Sequence, residues 1–327
     1  LFRSPTEKRL GRPRRPSVPQ QSSASAAQSQ RTDSIALLFA DTRQSALNTN
    51  LSISLLRGIE QELWRRSAAM TLLRLPESGL LPSQINPRQV DGVIIRTINR
   101  YESIDLSALG SMPCVHLFER FELPAHGDMI FEDNQAISMM AVNRLQSMGC
   151  RKLMFVLPMR EHPSFQARMH TFMTCSQEQG CTVKIIEPPA APNVINLAQI
   201  DEWNNPTVLQ QRIESWSSQI QKLATECDGL FVPGNDAEIE LLLKNLLQNH
   251  PGLDQRLKMV VCHNQAATIG AMSPYVDVID IQPEQMGAAA VDTLYWRMDN
   301  PTSARRRILI DRKSTRLNSS HLVISYA

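Results

Sequence analysis

Short apolar runs alternate with amphipathic stretches along most of the chain. The run SIALLFA at 34–40 is typical of a buried parallel strand. The following stretch, 51–68, places apolar residues four apart on one helical face. The alternation predicts further strands at 70–75, 91–97, 113–119, 151–158, 181–187, 228–233, 258–263, 275–282 and 305–310. It predicts further helices at 82–90, 134–150, 163–180, 205–226, 236–251 and 283–299. This order indicates an α/β protein with parallel sheets covered by helices.

The composition agrees with a folded protein of two lobes. The chain has 327 residues, of which 42% are hydrophobic, enough for two cores. No apolar run approaches the ~18 residues that a membrane helix needs. The opening residues lack the apolar segment of a secretory signal. Because residue 1 is Leu, we expect that the true start is missing. These features predict a cytoplasmic protein without a membrane partner.

Charge is distributed unevenly. Residues 1–33 contain seven basic and two acidic side chains, a net charge of +5, whereas the whole chain carries +2. The segment GRPRRP resembles the core of an AT-hook, and its Arg12, Arg14 and Arg15 are weak candidates for phosphate contacts. The Ser/Gln/Ala stretch 19–30 that follows favours a basic, disordered linker instead.

The sequence contains none of the common catalytic or cofactor motifs. Glycine-rich phosphate loops and the zinc-protease and serine-hydrolase signatures are absent from it. The seven histidines and six cysteines stand at no metal-ligand spacing, so the cysteines are interpreted as buried small hydrophobes. We therefore predict a protein that is not an enzyme and has no cofactor or metal.

The last seventeen residues, 311–327, read DRKSTRLNSSHLVISYA. They resemble the translation of a sequencing-library adapter. We expect this segment to be foreign to the native protein and assign no role to its polar side chains.

Six segments, in order, resemble the lactose-repressor/galactose-repressor (LacI/GalR) family of transcription regulators. They are RTDSIALLFAD…LLRGIEQEL (31–63), DGVII…MPCVHLFER (91–120), FEDNQAISMMAVNRLQSMGCRKLMFV (131–156), ARMHTFMTCSQEQG (167–180), CDGLFVPGND (227–236) and VDVIDIQPEQMGAAAVDTL (276–294). Together they lie within residues 31–310.

This resemblance implies a type I periplasmic-binding-protein-like fold, in which two Rossmann-like subdomains are joined by three crossing strands. The expected first subdomain comprises 34–157 and 283–304, and the second comprises 158–282 and 305–310. Residues 1–33 are the expected linker to a DNA-binding head. The resemblance further implies a homodimer that binds a small effector, such as a sugar, in the cleft. It would bind operator DNA through a head not present in this chain.

The resemblance also supplies candidate effector-binding residues. Arg168 matches the family arginine that binds ligand hydroxyls or carboxylates, and Ser164 lies one helical turn earlier. Asn235 and Asp236 match the polar pair at a strand end. Asp133 and the neighbouring Asn134 match a pair beside the cleft, although Asp133 is as well explained as a helix cap.

The sequence departs from the family at three candidate positions. Asn264 stands where the family has an effector-binding aspartate, and Leu51 and Ser52 replace an aromatic wall. Trp203 could supply aromatic stacking instead. Two other interpretations remain: an exported solute-binding protein of the same fold, or an interaction module that no longer senses a ligand.

Overall fold

The computed structural model describes residues 31–40, 50–76, 79–96, 106–118, 126–160, 162–188, 205–234, 236–262, 276–311 and 313–314. Residues from Thr32 onward form one compact unit. Within the described ranges, no helix is long and apolar enough to cross a membrane.

The helices and strands follow one another along the chain in three groups. The first group is β1 Ser34–Phe39, α1 Asn50–Arg65, β2 Ala69–Arg74, β3 Gly92–Arg96, β4 Cys114–Leu117 and β5 Asp128–Glu132. The second group is α2 Asn134–Ser147, β6 Lys152–Val156, α3 Pro163–Glu178, β7 Thr182–Ile186, α4 Pro206–Leu223, β8 Gly229–Val232, α5 Asp236–Asn249, α6 Leu253–Arg256, β9 Lys258–Cys262 and β10 Val276–Asp280. The last group is α7 Pro283–Asp299, β11 Arg307–Ile310 and β12 Lys313–Ser314.

The strands form two six-stranded sheets, which define two lobes. The first sheet has the order β11-β5-β4-β3-β1-β2, and every neighbouring pair in it is parallel. The second has the order β12-β10-β9-β8-β6-β7 and is parallel except where β12 pairs with β10. Buried apolar side chains on both faces of the second sheet and on one face of the first contact the helices, and the other face of the first sheet packs against the turn segments 75–90 and 106–112. The predicted α/β class is therefore confirmed.

The strand pairing corrects the predicted lobe boundaries. β6 was expected in the first subdomain, but it pairs with β7 and β8 of the second sheet. β11 was expected in the second subdomain, but it pairs with β5 of the first sheet. The described chain thus passes between the lobes at Asp133, at Gln282, and between Ile310 and Lys313, and the last of these lies in the segment 311–327 that the sequence predicts to be foreign. The crossings that the resemblance implied at 157–158 and before Arg305 are therefore wrong, because the matching segments do not specify strand partners.

Most predicted elements are present, and the local differences include the following two. Residues 82–90 form turns rather than the predicted helix, since the Asn86 side chain bonds the backbone at Ser83 and Arg88 and competes with helical hydrogen bonds. β5 lies in a segment without a strand prediction. Its first residue, Asp128, is fully buried and accepts hydrogen bonds from the Arg297 guanidinium and the Arg306 amide.

Candidate functional site

The carboxyl ends of parallel strands are the usual ligand-binding edges of an α/β sheet. β5 ends at Glu132 in the first lobe, and β8 ends at Val232 in the second. α3 begins at Pro163, close to the carboxyl end of β6, and it packs on α2 through a 2.7 Å hydrogen bond from the Ser138 hydroxyl to the Arg168 carbonyl. These elements meet around the side chain of Arg168.

Arg168 is 4% exposed, and its guanidinium connects the two lobes. Its Nε donates to Asn134 Oδ1 at 2.7 Å, and Nη2 donates to Glu132 Oε1 at 3.2 Å. Nη1 makes a long contact of 3.5 Å with the Pro233 carbonyl. Since a guanidinium has five N–H donors, two of them have no partner among the described residues. We call this group and its neighbours on α3 the Arg168 cluster; it comprises Glu132, Asn134, His162, Ser164, Phe165, Arg168 and Pro233.

The start of α3 holds two polar atoms that are buried without a hydrogen-bond partner within the described ranges. Ser164 is 2% exposed, and its Oγ is one of them. The other is Nδ1 of His162, whose ring lies 4.6 Å from the ring of Phe165. Burial, together with the positive charge of Arg168, lowers the pKa of His162 to about 4. The imidazole is therefore neutral near pH 7 and can exchange a hydrogen bond with an uncharged ligand group.

The crossings that border the Arg168 cluster have defined local structure. Asp133 Oδ1 accepts a 2.9 Å hydrogen bond from the amide of Ala136 and so caps α2. Gln282 has a left-handed backbone with φ of 54°. Its side-chain amide donates to the Asp311 carbonyl at 2.7 Å, so two of the crossings are bonded to each other.

A second buried arginine lies at the carboxyl edge of the first sheet. Arg96, the last residue of β3, is 1% exposed. Its Cζ lies 5.1 Å from the ring centre of Phe39 at the end of β1 and 5.8 Å from that of Phe118 just after β4. Two aromatic faces thus hold one cation at this edge.

The structure brings only part of the predicted site together. Arg168, Ser164 and Asn134 belong to the Arg168 cluster. Leu51 and Ser52 lie in the first turn of α1, at the same edge of the first sheet, and Ser52 is fully buried. Asp236 begins α5, which follows β8. Asn235, Trp203, Asn264, Arg12, Arg14 and Arg15 lie outside the described residues.

Sequence reasoning missed three residues that lie near the carboxyl ends of the strands: Glu132, His162 and Arg96. The first two carry no sequence signal beyond their closeness to Asp133 and Ser164, since the contact with Arg168 arises from packing of the lobes. Arg96 had a usable signal, because a charged residue ends the apolar run GVII of a buried strand.

A separate cavity of about 370 Å³ lies between α1 and the start of α7, with Glu62, Arg65, Gln282 and Glu284 among its lining residues. None of its lining residues belongs to the Arg168 cluster. Among the described side chains, no group of His, Cys, Asp and Glu has the arrangement of a metal site.

Comparison with known proteins identifies the class of this fold. The model of a family described as periplasmic binding protein-like domain matches residues 142–315. The match covers more than half of the chain, and the chain belongs to this family. No curated protein matches the chain by sequence.

Solved structures of transcription regulators share the fold. A complex of the transcriptional regulator CelR with cellobiose has a TM-score of 0.63 at 15% identity, with 87% of this chain and 84% of that one covered. A periplasmic binding ribose operon repressor protein from Lactobacillus acidophilus has a TM-score of 0.62 at 15% identity, covering 87% and 97%. A LacI family regulator from Enterococcus faecium with bound ribose also has a TM-score of 0.62 at 15% identity, covering 86% and 96%. At these identities the likeness establishes a shared fold.

Proposed function

We propose that this chain is the effector-binding part of a LacI/GalR-type transcriptional regulator that acts in the cytoplasm. It senses a small polar molecule, such as a sugar, in the cleft between its lobes and thereby changes the affinity of the regulator for DNA. The solved structures of similar fold that are described as regulators with bound cellobiose or ribose support this proposal. The solute-binding interpretation has no comparable support.

The Arg168 cluster is the observation that carries the proposal. A sugar hydroxyl can accept from the two spare guanidinium donors and donate to Ser164 Oγ or His162 Nδ1. Satisfying these buried groups makes ligand binding favourable, because a buried polar atom without a partner costs about 1–3 kcal/mol. Since Arg168 also bonds Glu132 in the other lobe, a ligand that changes this contact favours one interlobe arrangement over the other.

Thermal unfolding with a panel of monosaccharides, disaccharides and sugar phosphates tests the ligand site. We expect at least one of them to raise the Tm of the wild type. Arg168→Ala and Ser164→Ala should lower this shift strongly. The exposed Arg151, which precedes β6 at the opposite edge of the second sheet, provides the control Arg151→Ala. An equal ligand shift in Arg168→Ala and wild type would contradict the proposed site.

The regulatory step requires a second measurement. In the protein that includes the DNA-binding head, the stabilising ligand should change operator affinity by about 5-fold or more. Ligand binding without any change in operator affinity would reject the regulator and leave a binding protein of this fold.

The proposal includes a homodimer. Large apolar side chains are exposed on α1, on the edge strand β2 and on the segment after it: Trp64 at 81%, Leu72 at 44% and Leu80 at 65%. Exposed aromatic and aliphatic groups of this size are typical of association surfaces. A second copy of the chain is the proposed occupant.

A further inference from the structure

Three consecutive arginines, Arg305, Arg306 and Arg307, lie at the amino-terminal edge of the first sheet. All three are exposed, and Arg307 begins β11. We call them the arginine patch. They contrast with the chain between 34 and 310, which carries a net charge of −5. The patch is therefore a local concentration of positive charge on an acidic body.

Ring stacking holds two of the three arginines in place. The Arg306 guanidinium lies 3.8 Å from the ring centre of Trp296 in the last turn of α7, and that of Arg307 lies 5.2 Å from the ring centre of Phe131. The Arg306 amide donates to Asp128, whose carboxylate is already paired with Arg297. Ordered guanidinium groups lose less entropy when they bind an anion.

The register of the strands places the patch at the edge where the chain enters the first lobe. Ser34 pairs with Ala69, and the line of strand starts continues through Gly92, Cys114 and Asp128 to Arg307. β11 and β1 are four strand spacings apart, about 19 Å. The basic segment 1–33, with its net charge of +5, joins this edge at Ser34.

We infer that the arginine patch binds the phosphate backbone of double-stranded DNA. This inference rests on the proposed regulator function, because it assigns the DNA a contact on the sensing part itself in addition to the head. Duplex DNA carries one negative charge per ~1.7 Å of its axis, so a patch of three guanidinium groups, two of them held by aromatic rings, can contact two or three phosphates. Such contacts depend on salt and not on base sequence.

The test measures the affinity of the full chain for a short random-sequence duplex at several salt concentrations, with fluorescence anisotropy as the readout. Each lost phosphate contact lowers the slope of log K against log salt by about 0.9. The variant Arg305→Gln/Arg306→Gln/Arg307→Gln should therefore lower the slope by about 2–3. The charge-preserving triple lysine variant should retain most of the slope, whereas a purely structural role for the arginines would give no such rescue.

A matched control removes three exposed positive charges from the second lobe, Lys222→Gln/Lys244→Gln/Arg256→Gln, and should leave the slope unchanged. The inference is overturned if the wild type does not bind the duplex, if the glutamine variant keeps the wild-type slope, or if the control loses as much. Ligand-induced Tm shifts of the same proteins report on the cleft separately. If a ligand raises the Tm but the glutamine variant keeps the wild-type salt slope, only the arginine patch is rejected. If the glutamine variant has a reduced salt slope but no ligand raises the Tm, only the sensing function is rejected.

Discussion

His162 is held neutral by its surroundings at the start of α3. Its ring packs on Phe165, and both burial and the nearby Arg168 guanidinium disfavour a second positive charge. The unfolded chain offers no such penalty, so the imidazole there titrates near its ordinary pKa of about 6.5. Between pH 6.5 and 4 the unfolded state consequently binds more protons than the folded state.

This difference gives the free energy of unfolding a pH dependence of known sign. The contribution of His162 is fully present above about pH 6.5 and is lost as the pH falls toward 4. The variant His162→Gln should lose less stability than the wild type over this interval. Denaturant unfolding of both proteins at several pH values measures this difference in stability. If the free energies of unfolding of the two proteins change in parallel with pH, the ring titrates at its ordinary pKa.

At the scale of elements, close packing of α1 on α7 builds the core of the first lobe. Two glycines allow the contact. A Cβ on Gly58 would lie 1.9 Å from the Glu284 carbonyl oxygen, and a Cβ on Gly287 would lie 2.3 Å from the Leu55 carbonyl oxygen. The helix backbones therefore touch directly, and no side chain fits between them.

Substituting alanine for Gly287 tests this packing, because two effects have opposite signs. Helix propensity alone predicts a stabilisation of about 1 kcal/mol. Overpacking against the α1 backbone predicts a loss of about 2 kcal/mol or more. We expect the loss to dominate in urea unfolding, whereas the exposed Glu60→Ala on α1 stays within about 0.5 kcal/mol. A more stable Gly287→Ala variant would show that the helices separate easily.

The sequence predicts individual helices and strands, but it does not predict which strands form each lobe. Helical and strand periodicity depends on neighbouring residues, so α7 and the buried strand β3 are visible in the sequence. Pairing of β11 with β5 links residues far apart in the chain, and no local pattern specifies it. The same division holds at the site. Arg168 and Ser164 follow from a motif, but the Glu132 partner of Arg168 depends on the relative placement of two elements.

At the scale of the whole molecule, the proposed dimer gives a direct prediction. The double variant Trp64→Glu/Leu72→Glu places charge on the proposed interface and should weaken self-association at least ~10-fold, since buried aromatic residues dominate interface energies. Met173→Glu alters an exposed apolar residue on α3 and should leave association unchanged. Sedimentation equilibrium measures both. A wild type that stays monomeric, or equal dimerisation of all three proteins, would exclude this interface.

The pairing of β11 with β5 also bears on the order in which a growing chain can fold. Residues 134–280, which form α2 to β10, are contiguous, so this part of the second lobe can assemble as soon as it leaves the ribosome. The first lobe must wait for its last strand. Until then the outer edge of β5 has no partner, and Asp128 lacks the guanidinium of Arg297. During synthesis, this uncovered strand edge is a site where the nascent protein can mispair.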